Sequence, residues 1–306
     1  RGRRRQEAAA CSRAGHSRRD STVAAGRKDL VVLQRRQGKL DAAAASVREA
    51  LSVQRALYGD EHVTVAESLF NLAAILRDRG QYEKAEDVQR RSLAMVRSLT
   101  DGPHPGVSAN LNNLALVLEE QGRLEEAEEA LRQALEVNRT LFGSPHPEIA
   151  NTVSNLASNL EEQGRYEAAA TQRRKALRLR RALHDGPHPL VAEQLHNLAS
   201  LHGARGRPAA ADSAYRAAQR VYQQLENTNR PSYANTLSNH GRLLREQGSF
   251  AEAASLLKKA LSVRRSLPET DSTRIQELHS ELHTLYTDWD KPDLAQKYEA
   301  ASAQLP

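Results

Sequence analysis

Four histidines, His62, His104, His146 and His188, recur at intervals of 42 residues, and the last three stand directly before Pro105, Pro147 and Pro189. Imidazoles bind metals and carry protons, so the first question is whether these four converge. If each marks one point of a repeated unit, successive copies lie at least a helix spacing of ~8–10 Å apart. A shared ion needs bonds of ~2 Å to every nitrogen, so a metal site is excluded. The pattern fits a loop that His helps to close before Pro opens a helix, where the missing N–H costs little. The carboxylate pairs Glu119 with Glu120 and Glu161 with Glu162, and the acidic run from Glu125 to Glu129, recur as surface charge and read as solvated helix faces. The chain holds no G-x-x-x-x-G-K-[ST] phosphate loop, no G-x-G-x-x-G and no H-E-x-x-H. Its single cysteine, Cys11, has no partner for a disulfide or a zinc site. The expectation is a protein with no catalysis, no cofactor and no metal, in the reducing cytoplasm.

Amides are the other polar groups that keep register. Asn71, Asn113, Asn155, Asn197 and Asn239 follow the same step of 42, as do Gly38, Gly80, Gly122, Gly164, Gly206 and Gly248. The element that carries them is clearest between Asn110 and Arg139. Leu111, Leu114, Ala115 and Leu118 fall on one face of a first helix, and Gly122 ends it. A residue just past a helix end commonly takes positive φ, which only glycine adopts without penalty. A second helix starts near Leu124, with Leu124, Ala127, Leu131, Ala134, Leu135 and Val137 apolar. Neither helix can bury its stripe alone, so two antiparallel helices pair and each pair stacks on the next.

Leu114, Ala115, Leu118, Leu124, Ala127 and Ala134 stand at the offsets of the tetratricopeptide repeat, and the unit resembles that family. With 42 residues instead of the usual ~34, with NNLA in the first helix and G-x-x-H-P in the connection, it is similar to the kinesin-light-chain type. The resemblance covers about residues 27 to 303. It implies an all-α, right-handed superhelical solenoid of about seven antiparallel hairpins, closed by a terminal capping repeat over 273–306 in which Asp290 replaces the turn glycine and Trp289 packs. Units one and six depart most; the sixth has His240 and Gly241 where others have Leu and Ala.

In that family the first helix of each unit lines a concave groove that binds a peptide or partner surface. Carried over by position, the groove residues include Phe70, Asn71, Asn112, Asn113, Asn151, Asn155, Asn197, Asn235 and Asn239. An amide offers donor and acceptor together, so such a row suits the main chain of an extended segment. Hydrogen bonding to a neighbouring repeat accounts for the same row, and the two readings stay open. Arg77 toward one end, and Arg242 and Arg245 toward the other, suit acidic side chains.

The net charge of +6 comes from the first 36 residues, which hold 11 basic and three acidic residues; the rest carries 33 basic and 35 acidic. Residues 1–26 read as a basic, flexible segment and 27–306 as the array. Nucleic acid is therefore expected only through that segment, which lacks an aromatic residue to stack on a base. No stretch approaches the ~20 apolar residues of a membrane span. An alternative function is a C-terminal recruiting region of a larger bacterial signalling enzyme, such as a serine/threonine kinase. Oligomeric state has no signature in the sequence.

Overall fold

The computed structural model describes residues 30–35, 37–225, 230–267 and 272–303, and no strand occurs among them. Residues 1–26, with Cys11, lie outside that range. After a helical segment at 30–35 come α1 Leu40–Tyr58, α2 Val63–Asp78, α3 Tyr82–Leu99, α4 Pro105–Glu120, α5 Leu124–Phe142, α6 Pro147–Glu162 and α7 Tyr166–Ala182. They are followed by α8 Pro189–Ala204, α9 Pro208–Gln223, α10 Pro231–Glu246, α11 Phe250–Arg265, α12 Ser272–Asp288 and α13 Pro292–Ala303. The chain divides into two compact units, Arg1–Gly143 and Ser144–Pro306.

The recurrent histidines are helix caps. His62, His104, His146 and His188 each take extended backbone angles at the N-cap of α2, α4, α6 and α8. Their Nδ1 atoms accept the backbone N–H two residues on, from Thr64 (3.3 Å), Gly106 (3.0 Å), Glu148 (3.2 Å) and Leu190 (3.2 Å). Each satisfies one donor left over at a helix start, the role usually taken by Ser, Thr, Asp or Asn. At the other end of α4, Gly122 has φ 74°. Its N–H donates to Glu119 O (2.8 Å) and that of Arg123 to Leu118 O (2.9 Å), the paired bonds of a Schellman motif. The turn is obligatory enough that Asp290, 42 residues after Gly248, also takes positive φ, 54°.

Between the helices the repeat is built on alanine. Ala43, Ala85, Ala127, Ala169, Ala211 and Ala253 are fully buried at one position of six successive second helices, and Ala295 at the seventh is 5% exposed. A methyl there lets each second helix approach its partner closely. In the first unit Leu51, Leu69, Leu72, Ile75 and Leu76 surround this seam, and Leu111, Leu114, Ala115 and Leu118 are all buried in α4. Leu30, Val32 and Leu33 lie on the opening helical segment and are 44%, 51% and 52% exposed.

The second unit ends in an aromatic cluster. Tyr286 stacks on Tyr298 (5.6 Å between ring centres) and Trp289 (6.0 Å), and Lys291 Nζ lies 3.6 Å from the Trp289 ring centre. The departures of the sixth repeat are structural. Buried His240 accepts from Gln219 Nε2 and donates from its own Nε2 to Asp212, both at 2.8 Å. At Gly241 a Cβ would come within 2.9 Å of Leu257 Cγ, so the glycine sets how closely α10 and α11 meet.

Candidate functional site

The first helices of the first unit, α2 and α4, border a cavity of about 380 Å3. Its walls are Val63, Ala66, Glu67 and Phe70 of α2, Val96 near the end of α3, His104, and Ala109 of α4, with the amides of Asn71 and Asn110. The hollow follows from side-chain size. In the second unit the position of Val96 is held by Arg180, Tyr222 and Arg264, and that of Ala109 by Asn151, Glu193 and Asn235. Gly106 contributes as well, because a Cβ there would lie 3.0 Å from His104 Nδ1 and 3.2 Å from Val96 Cγ1.

Around this cavity the amides divide. Asn110 is buried, donates to Gly106 O (2.7 Å) and accepts from Gln89. Asn112 donates back to Ser108 O (2.9 Å). Asn71 and Asn113 are half-buried, and among the described residues neither side chain has a hydrogen-bond partner. Arg77 is already engaged, with its guanidinium 3.0 Å from Asp78. Burial alone would raise the Asp78 carboxyl, but Arg35 and Arg77 together outweigh it and hold it below the usual carboxylate range.

In the second unit arginines from second helices reach the first-helix row. Arg180 of α7 donates to Asn151 Oδ1, and Arg264 of α11 to Asn235 Oδ1. Each arginine lies 29 residues after its asparagine and the two pairs are 84 apart, a two-repeat period within the 42-residue one. Both arginines are buried. Asn239 accepts from Arg242 and lies 3.3 Å from His196 Nε2. His196 also meets Thr236 Oγ1 at 3.1 Å, and burial, then Arg173 and Arg242, push it down to about 4. Asn155 and Asn197 are half-buried; among the described residues the Asn197 amide has no hydrogen-bond partner.

A smaller cleft of about 100 Å3 brings Asn235, Asn239 and Arg242 together with Arg264. Acids of the terminal hairpin meet Arg242 in this cleft and Arg245 outside it. Glu281 lies 3.6 Å from Arg242 and accepts from Ser238 (2.6 Å), while Asp288 lies 3.5 Å from Arg245. Two features escaped the sequence reading. Arg180 and Arg264 were overlooked because only first helices were placed along the groove; their equal spacing from Asn151 and Asn235 was the available signal. The cavity was overlooked because it is made by small residues.

The tetratricopeptide repeat family model matches residues 23–98, 106–182, 148–224 and 190–266, which together span most of the chain. The protein is a tetratricopeptide-repeat protein. Among solved structures, the repeats are similar to BtubC (BKLC) from P. vanneervenii, at 22% identity and a TM-score of 0.66 over 74% of this chain and 91% of that one. A putative kinesin light chain from Podosopora anserina with nearly identical TPR-like repeats is similar at 21% identity and a TM-score of 0.59, over 67% and 96% of the two chains. The signal transduction ATPase with numerous domains PH0952 from Pyrococcus horikoshii, which has a tetratricopeptide repeat sensor, aligns at 16% identity and a TM-score of 0.71, over 90% of this chain and 41% of that one. No curated protein matches the chain. These likenesses bear out the repeat type and the stacked helical hairpins. Among the described residues no helix is long and apolar enough to cross a membrane.

Proposed function

We propose that this tetratricopeptide-repeat protein is a non-catalytic scaffold that acts in the cytoplasm by holding an extended segment of a partner protein along its first helices. The observation that carries this reading is the state of the amides. Asn71, Asn113 and Asn197 are half-buried, in register, and bonded to nothing among the described residues. Asparagine is a mediocre helix former, and a partly dehydrated amide without a partner is costly. A peptide main chain supplies both missing partners. In the first unit the cavity beside Asn71 adds room for one large apolar side chain of that segment.

Arg77, Arg242 and Arg245 fit the role of acid-binding residues less well than the amides fit theirs, since each already meets a carboxylate of this chain. A ligand acid would have to displace Asp78, Glu281 or Asp288. The test is the double substitution Asn71→Ala and Asn113→Ala. Alanine is the better helix former by up to ~0.7 kcal/mol per residue, so the melting temperature should hold or rise. Partner affinity should fall by about 1–3 kcal/mol for each amide lost. A lowered melting temperature with unchanged affinity would assign both amides to the fold.

A further inference from the structure

The sequence RRKALRLRR, residues 173 to 181, puts six basic residues on a single helix, α7, whose first turn holds the acid Glu167. The fold separates them. Arg173 and Arg180 point inward and are buried, Arg173 on Glu161 (2.6 Å) and Ser158 (2.9 Å), Arg180 on Asn151. Arg174, Arg178 and Arg181 are exposed. They follow one another at four and three residues, so they form a single row ~10 Å long at 1.5 Å per residue. Among the described residues none of the three has an acidic partner.

Further positive charge gathers at one end of this row. Arg205, in the turn between α8 and α9, pairs with Glu167 of α7 (2.5 Å), which sets that turn against α7, and Arg174, Arg205 and Arg207 add to burial in lowering the pKa of His202. Arg205 is thus paired, whereas Arg207 is exposed and, among the described residues, in no ion pair, acting on Glu167 only at longer range. At Arg90, Arg132, Arg216 and Lys258 the position of Arg174 is neutralised or shielded, while Arg48 is exposed with no ion pair among the described residues. Arg90 is held by Glu86 (2.8 Å) and Arg132 by Glu128 (2.7 Å). Arg216 is held by Asp212 (3.0 Å) and Glu252 (2.7 Å), and Lys258 lies over the Tyr286 ring. In α7 the residue four before Arg174 is Ala170, which offers no acid.

We propose that Arg174, Arg178, Arg181 and Arg207 form a second docking surface, separate from the first-helix groove, for a short acidic segment of a partner protein. Charge complementarity fixes the sign, and the extent of the patch fixes the class. Affinity for a nucleic-acid backbone grows with the number of phosphates neutralised, and this row ends after a few arginines because the next position in the second unit, Arg216, is already paired. Among the described residues the exposed aromatic on this helix is Tyr166, at its first position and about two turns before Arg174, so the row itself offers no ring to stack on bases. An anionic membrane calls for apolar side chains that insert, and in the second unit only Tyr166, 37% exposed, is a large exposed hydrophobic among the described residues.

The probe is a fluorescent octaglutamate carrying a photo-crosslinker, titrated into the full chain at about 0.1 M salt. Arg174→Gln with Arg178→Gln and Arg181→Gln should weaken binding by about tenfold or more and remove cross-links to α7, with melting unchanged. Arg90→Gln with Arg132→Gln, whose charges are already spent, should leave affinity nearly as it was. Replacing the same three arginines by lysine should keep most of the binding, which separates lost charge from lost fold. Equal affinity of the triple Gln variant, or cross-links confined to the first 29 residues or the first-helix groove, would overturn the proposal. Tighter capture of a short DNA duplex through the same three arginines would overturn the choice of partner, as would their retention on phosphatidylserine vesicles that octaglutamate does not displace.

Discussion

At the residue scale, histidine performs two tasks that the sequence shows only as one recurring letter. Four are caps whose Nδ1 must stay unprotonated to accept, and mutating His146→Ala should cost about 0.5–2 kcal/mol, with Asn at the same site restoring most of it. The other task is internal. His196 is depressed to about 4 by burial first and then by Arg173 and Arg242. A depressed histidine stays neutral in the folded state while the unfolded chain binds its proton near 6.5. Its stabilising contribution is therefore full above about pH 6.5 and is lost as pH falls toward about 4. Thermal melts of the second unit should decline over that window, and His196→Gln should flatten the decline. An unchanged slope would mean that His196 is neutral in neither state or solvated in both. The unbonded state of Asn71, Asn113 and Asn197 belongs to this scale as well. Spacing placed these amides in one row, but only coordinates separate them from Asn151, Asn235 and Asn239, whose partners come from side chains 29, 29 and 3 residues on.

At the scale of the element, most of the hairpin was legible. The stripe Leu111, Leu114, Ala115 and Leu118 is buried as its period requires, and the glycine step marks true left-handed turns, to the point that Asp290 adopts the same φ sign. Leu114→Ala should cost about 2–5 kcal/mol, since that side chain is 4% exposed in the seam. Gly241→Ala should cost about 1–3 kcal/mol through the clash with Leu257, whereas alanine at the equivalent position of other repeats is native. What periodicity did not show is how one helix can present two opposed basic faces. In α7, Arg173 and Arg180 turn inward because Glu161, Ser158 and Asn151 receive them, and such partners lie in another helix. The cavity beside Phe70 was illegible for a related reason. A hollow exists only relative to what fills the same place elsewhere, here Arg180, Tyr222 and Arg264 against Val96.

For the whole molecule, the proposed work of the stacked hairpins is to hold a peptide along their first helices. The terminal hairpin, α12 and α13, covers Leu257, Leu261 and Tyr233 in one apolar cluster, so deleting residues 272–306 should lower the cooperativity of unfolding and promote aggregation. A truncated chain that stays monomeric and melts unchanged would show that this hairpin is no cap. The most direct test of binding uses Val96→Arg, which stands 29 residues after Glu67 as Arg180 stands after Asn151, so that the new guanidinium fills the cavity facing a carboxylate that lines it. Peptides selected from a random display library on the native chain, measured by titration calorimetry on both proteins, should bind the native chain through one large apolar residue and lose about tenfold or more in affinity on the filled variant, with melting temperatures alike. Equal affinity of those peptides for a folded, filled variant would contradict the account.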